Sequence, residues 1–94
     1  MTDVVWRPSA DAVATEVDDG AVVLNVRTKR YYSLNETGAA IWASIADGAT
    51  RTEIVAALRS RFDVEEPQAR QAVERMVGEL EAEELVVSSP RAPA

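Results

Sequence analysis

The chain has 94 residues, 47% hydrophobic and 28% charged, with a formal net charge of −6. That is one domain's worth of chain with a single modest core, and its acidity disfavours nucleic acid and anionic membrane as partners while suiting a basic one. It has neither cysteine nor histidine, which removes disulfides, thiol chemistry, nearly all transition-metal sites and the commonest general base.

Met1 to Asp11 carries Pro8, small residues and no period, and reads as a flexible arm with Trp6 as its candidate anchor. It lacks the basic and apolar regions of a signal peptide, and no apolar run approaches the ~20 residues of a membrane helix, so a cytoplasmic location is expected. Residues 12 to 17 and 21 to 26 are short and β-branched, and Asp18-Asp19-Gly20 between them supplies a residue tolerant of positive φ, which predicts a hairpin. In its second strand Val22, Leu24 and Val26 share a face, expected to be the inner one. After the polar turn Arg27-Thr28-Lys29, the stretch Arg30-Tyr31-Tyr32-Ser33-Leu34 returns as a third strand, with Tyr32 and Leu34 inward because Leu34 leads directly into a helix.

Asn35 is a good N-cap for that first helix, whose stripe is Ala40, Ile41 and Ile45 with Trp42 beside it, and Asp47-Gly48 ends it. Thr50 and Glu53 have the spacing of a capping box before Ile54, Val55, Leu58 and Phe62. A third helix opens near Glu65-Glu66-Pro67 and carries Ala69, Ala72, Val73, Met76, Val77 and Leu80 at amphipathic spacing. Leu85-Val86-Val87 is a short apolar run suited to a last strand or to docking on the core, and 88–94, with Pro90 and Pro93, reads as a flexible tail.

The resulting expectation is an α+β fold: an N-terminal three-stranded antiparallel sheet packed on three helices, a winged-helix-like layout in one domain with its core at about 5–87. A winged-helix DNA-binding protein is the obvious reading of such a layout. The third helix argues against it, because residues 65–84 hold seven glutamates against Arg70 and Arg75, and such a surface repels phosphates. Catalysis finds no support either. The acids fall at polar helix positions or in turns, and the glycines are isolated, so no paired-carboxylate cleft or phosphate loop is indicated. No catalytic residue, metal site or cofactor is expected.

The run Tyr31 to Trp42, then Asp47-Gly48, then Thr52 to Leu58 and Phe62-Asp63-Val64 resembles the PqqD-like family of RiPP recognition elements, over roughly residues 5 to 87. Family members often place a glycine before the last apolar residues, where this chain has Glu84, a departure that concerns the helix's final turn. The resemblance implies a non-catalytic protein that captures the leader peptide of a ribosomally made precursor as an added strand, paired with the third strand and walled by the third helix. Carried onto this sequence, the backbone of Arg30, Tyr31, Tyr32, Ser33 and Leu34 supplies the ladder, Val73, Val77 and Leu80 floor apolar pockets, and Arg70, Glu74 and Glu81 line the rim. The small acidic chain is similar to the recognition proteins of lasso peptide clusters, whose partners are a leader peptidase and a cyclase. The alternative within the family is a PqqD-type peptide chaperone for a radical SAM enzyme.

Overall fold

The reversal at Asp18-Asp19 joins two β-branched segments through a two-residue loop, and Asp18 takes the positive φ (43°) that such a loop demands. In this computed structural model, which describes residues 4–90, the loop connects β2 (Ala12–Val17) to β3 (Gly20–Asn25), and β4 (Arg30–Leu34) completes a sheet in the order β2-β3-β4. This is the expected N-terminal antiparallel sheet. Gly20 serves a different purpose from the one its place near the turn suggested. It lies inside β3, where a Cβ would stand 2.1 Å from the Leu34 carbonyl oxygen, so only glycine lets β3 and β4 close up there.

The inner face of β3 is the opposite of the expected one. Ala21, Val23 and Asn25 are buried, whereas Val22 is half-buried and Leu24 and Val26 are exposed. A strand's faces alternate every residue, so one polar member reverses the reading. Asn25 made its own set look solvent-facing, yet it is buried with all its hydrogen-bonding capacity used. Its Nδ2 donates to the carbonyls of Glu83 and Glu84 (3.3 and 3.1 Å), and its Oδ1 accepts from the N–H groups of Arg27 and Thr28 (3.0 and 3.1 Å). In β4 the expectation holds: Leu34 is buried, Tyr32 half-buried and Tyr31 exposed.

The helix signals hold. Asn35 Oδ1 accepts from the Gly38 N–H (2.8 Å) to start α1 (Glu36–Ala46), which ends at Asp47 followed by Gly48 at φ +79°. Thr50 and Glu53 form both halves of the capping box of α2 (Arg51–Arg61), at 3.2 and 2.8 Å. Pro67 sits in the first turn of α3 (Glu66–Ala82), where a missing N–H loses nothing. The helices' apolar stripes meet Val23 and Leu34 in one core, in which Ile41, Ile45, Ile54, Val73 and Leu80 are at most 1% exposed, each burial worth about 1.5–3 kcal/mol.

The largest departure is at the ends of the chain. The segment expected to be an arm contains a strand, β1 (Val4–Pro8), which pairs antiparallel with β5 (Ala49–Thr50) on one side and β6 (Val86–Pro90) on the other. Its partners lie far along the chain, so no turn or repeat announced it. Burial of Val5, Trp6, Leu85 and Val86 supplies the driving force. The apolar run at Leu85 thus leads into a last strand, and Ser88–Pro90, expected in the flexible tail, pair with Val4–Trp6. Of the expected arm and tail, residues 1–3 and 91–94 lie outside the described residues.

Candidate functional site

The sheet β2-β3-β4 leaves β4 with a strand neighbour on one side only among the described residues. Which of its backbone groups face the free side follows from the pairing. The Val26 N–H donates to the Asp11 carbonyl at 2.9 Å, and hydrogen-bonding direction alternates along a strand. Val22, Leu24 and Val26 therefore point their N–H and C=O groups at β2, and Ala21, Val23 and Asn25 point theirs at β4. Opposite these stand Leu34, Tyr32 and Arg30. By the same alternation, Tyr31 and Ser33 turn their N–H and C=O groups away from the sheet, four groups able to hold an incoming strand.

The side chains of Arg30, Tyr32 and Leu34 share the face toward the helices, and their contacts identify the part of α3 that walls this edge. Arg30 Nε lies 3.4 Å from Glu83 Oε1. The Tyr32 phenol lies beside the Glu79 carboxylate, with Arg75 and Glu83 nearby. Burial, first, and the Glu79 contact, second, push the Tyr32 phenol above its ordinary pKa. At the far end of β4 the Met76 thioether methyl lies over the start of α1. A Cβ added at Gly38 would meet it at 2.9 Å and the Leu34 Cβ at 3.3 Å. Met76, Glu79 and Glu83 follow i, i+3, i+7, so they form one flank of α3, and Ala72 extends it by a turn.

The result is a groove with the β4 edge as one wall and this flank as the other. It is polar near Arg30 and Glu83 and apolar near Leu34 and Met76. Its charges are balanced, Arg30 and Arg75 against Glu79 and Glu83, although the chain as a whole is acidic.

The predicted site residues divide into three groups. Arg30 to Leu34 form β4 as expected, with Tyr31 71% exposed on the outer face beside Leu24 and Val13. Val73, Val77 and Leu80, expected to floor pockets, are 0, 2 and 0% exposed and belong to the core. Arg70, Glu74 and Glu81, expected at the rim, lie on the other flank of α3. Arg70 bonds Glu66 (2.6 Å), Glu74 faces Arg51 of α2 (3.7 Å), and Glu81 follows Glu74 after two turns. Met76, Glu79 and Glu83 take their place at β4. Their common signal was the same helical spacing, but spacing defines two flanks equally and does not say which one meets the sheet.

Comparison with known proteins agrees with this fold. Residues 20–86 match the family described as coenzyme PQQ synthesis protein D, PqqD, more than half of the chain. The chain belongs to the PqqD family. No curated protein sequence matches it. Two solved structures are similar to it. TbiB1 in complex with the TbiA(beta) leader peptide aligns with a TM-score of 0.78 at 26% identity, covering 94% of this chain and 98% of that one. A lasso peptide synthetase B1 complexed with the leader peptide aligns with a TM-score of 0.77, also at 26% identity, covering 87% and 96%. Among the described residues of this PqqD-like chain no helix is long and apolar enough to cross a membrane.

Proposed function

We propose that this PqqD-like protein is a non-catalytic, cytoplasmic recognition element that binds the leader peptide of a ribosomally made precursor as a fourth strand on β4 and presents it to processing enzymes. The observation that carries the proposal is the pairing of an open strand edge with an adjacent helical wall, in a fold whose two similar solved proteins are both leader-peptide complexes. The backbone of Tyr31 and Ser33 supplies the ladder, Met76, Ala72 and Leu34 take an apolar side chain, and Tyr32, Glu79, Glu83 and Arg75 receive polar ones. The outer sheet face with Tyr31, Leu24 and Val13 stays free for the next protein in the sequence.

About four backbone hydrogen bonds at ~0.5–1.5 kcal/mol and one or two apolar anchors at ~1.5–3 kcal/mol give a gross gain of several to about 12 kcal/mol. Ordering a flexible peptide removes much of that, which leaves binding in the micromolar range. The likeness to a lasso peptide synthetase B1 favours a lasso peptide leader, with a leader peptidase and a cyclase as the enzymes served, over a PqqD-type chaperone role for a radical SAM enzyme. The test is calorimetric titration with leader peptides encoded by neighbouring precursor genes, coupled to amide exchange. Saturating peptide is expected to protect the amides of Tyr31 and Ser33. Binding without protection there would place the site elsewhere.

A further inference from the structure

The C-terminal end of α3 closes in an unusual way. Glu84 follows the helix in the left-handed conformation, φ 59°, and the Leu85 N–H reaches back to the Leu80 carbonyl at 2.9 Å, the bond of a cap that normally uses glycine at this place. A glutamate in that conformation is disfavoured. What holds it comes from the β3–β4 turn. Asn25 Nδ2 donates to the Glu84 carbonyl and to that of Glu83, and Arg27 Nη2 contacts Glu84 Oε1 at 2.5 Å, a contact that pushes the Arg27 guanidinium above its ordinary pKa. Arg27 also reaches Asp11 (3.3 Å), and Arg30 of β4 reaches Glu83.

These contacts tie the turn that leads into β4 directly to the helix that walls β4. The two ion pairs with Glu84 and Asp11 are exposed and individually weak. Asn25 is different, being 1% exposed with four partners, and it is the rigid part of the connection. Asn25 thus bonds the backbone of Glu83 at one end of the groove's wall, and faces Arg30 at the start of β4.

We propose that Asn25 is a positioning residue for the groove: by lashing the β3–β4 turn to the cap of α3 it sets the separation between the Tyr31/Ser33 edge and the Met76/Glu79/Glu83 flank, and so governs peptide affinity without touching the peptide. The inference rests on the leader-binding reading above. It also explains why the left-handed position can hold glutamate: Asn25 bonds the Glu84 and Glu83 carbonyls there, and Arg27 the Glu84 carboxylate.

The experiment uses the full chain and a fluorescein-labelled synthetic leader peptide from the neighbouring precursor gene, with affinity and thermal stability measured on three variants. Asn25→Ala loses stability and binds about tenfold more weakly. Glu84→Gly, which suits the left-handed turn and keeps both Asn25 bonds, binds like the natural protein. The double variant Asn25→Ala/Glu84→Gly regains stability through the glycine cap yet still binds about tenfold more weakly. Recovery of affinity together with stability in the double variant would show Asn25 to be merely structural and overturn the proposal, while leaving leader binding intact. Unchanged affinity in Asn25→Ala would do the same. Failure of the natural protein to bind any such peptide would instead remove the leader-binding reading itself, and the proposal with it.

Discussion

Among the described residues both edges of the sheet β2-β3-β4 lack a further strand, and they differ in what stands beside them. Along β4 runs the flank of α3 with Met76, Glu79 and Glu83, which Arg30 pairs with at Glu83 and Tyr32 approaches at Glu79. Along β2 no comparable helix flank stands among the described residues: its residues are exposed from Val13 to Val17, and Glu16 places a charge on the strand. A hollow near its end, between the β2–β3 turn and α1, is lined by the charged side chains of Glu16, Asp18, Asp19, Glu36 and Arg61, with Gly20 and three alanines as its remaining part. Both edges offer backbone groups to a strand, but among the described residues it is the β4 edge that has the side chains of a helix flank, Met76, Glu79 and Glu83, beside it. Backbone pairing gives register; side-chain pockets give selectivity and most of the affinity.

The sharpest test of that contrast compares prolines at matched outward-facing amides. Ser33→Pro removes an N–H that faces the free side of β4, and Ala14→Pro removes one that faces the free side of β2, so both spare the ladder to β3. Ser33→Pro is expected to abolish measurable peptide binding in calorimetry and Ala14→Pro to leave it unchanged. Equal loss in both would erase the distinction between the edges.

A second pair separates the wall of the groove from the core beneath it. Val77→Asp puts a charge at a position 2% exposed and is expected to destabilise by about 3–5 kcal/mol, enough to unfold much of the protein in a thermal melt. Met76→Asp, at the neighbouring half-buried position, is expected to stay folded and to bind leader peptide about tenfold more weakly. A folded Val77→Asp protein would mean that α3 packs differently.

Smaller effects centre on Tyr32. Tyr32→Phe removes the hydroxyl beside Glu79 and should weaken binding by about three- to fivefold, with little change in melting temperature. Because the phenol's pKa is raised in the folded state, its neutral form stabilises the fold. That contribution is complete below the unfolded value near 10 and is lost as pH rises through the higher folded value. An alkaline titration followed by tyrosinate absorbance should therefore show a phenol ionising later than free tyrosine, and Tyr32→Phe should remove that late step. At the other end of the scale, the Glu66–Arg70 pair depresses the Glu66 pKa through the Arg70 hydrogen bond. Its small contribution is present above the usual carboxylate value and fades as pH falls through the lowered one, so Arg70→Ala should alter stability only slightly and binding not at all.

What the sequence determined on its own was local. The Asn35 cap, the Thr50/Glu53 box, Pro67 in the first turn of α3, the β2–β3 hairpin and the strand Arg30 to Leu34 are each written in neighbouring residues, because capping, turn geometry and alternation act over a few positions. The apolar stripe of α3 was legible for the same reason. Only the tertiary structure decided which strand face is buried, since Asn25 gains its partners from Glu83 and Glu84 at the far end of the chain, and only it joined Val4–Pro8 to Val86–Pro90. It also chose Met76, Glu79 and Glu83 over Arg70, Glu74 and Glu81 as the wall of the groove. Helical periodicity defines a buried stripe with two equivalent flanks, and the way the helix is laid across the sheet selects one of them.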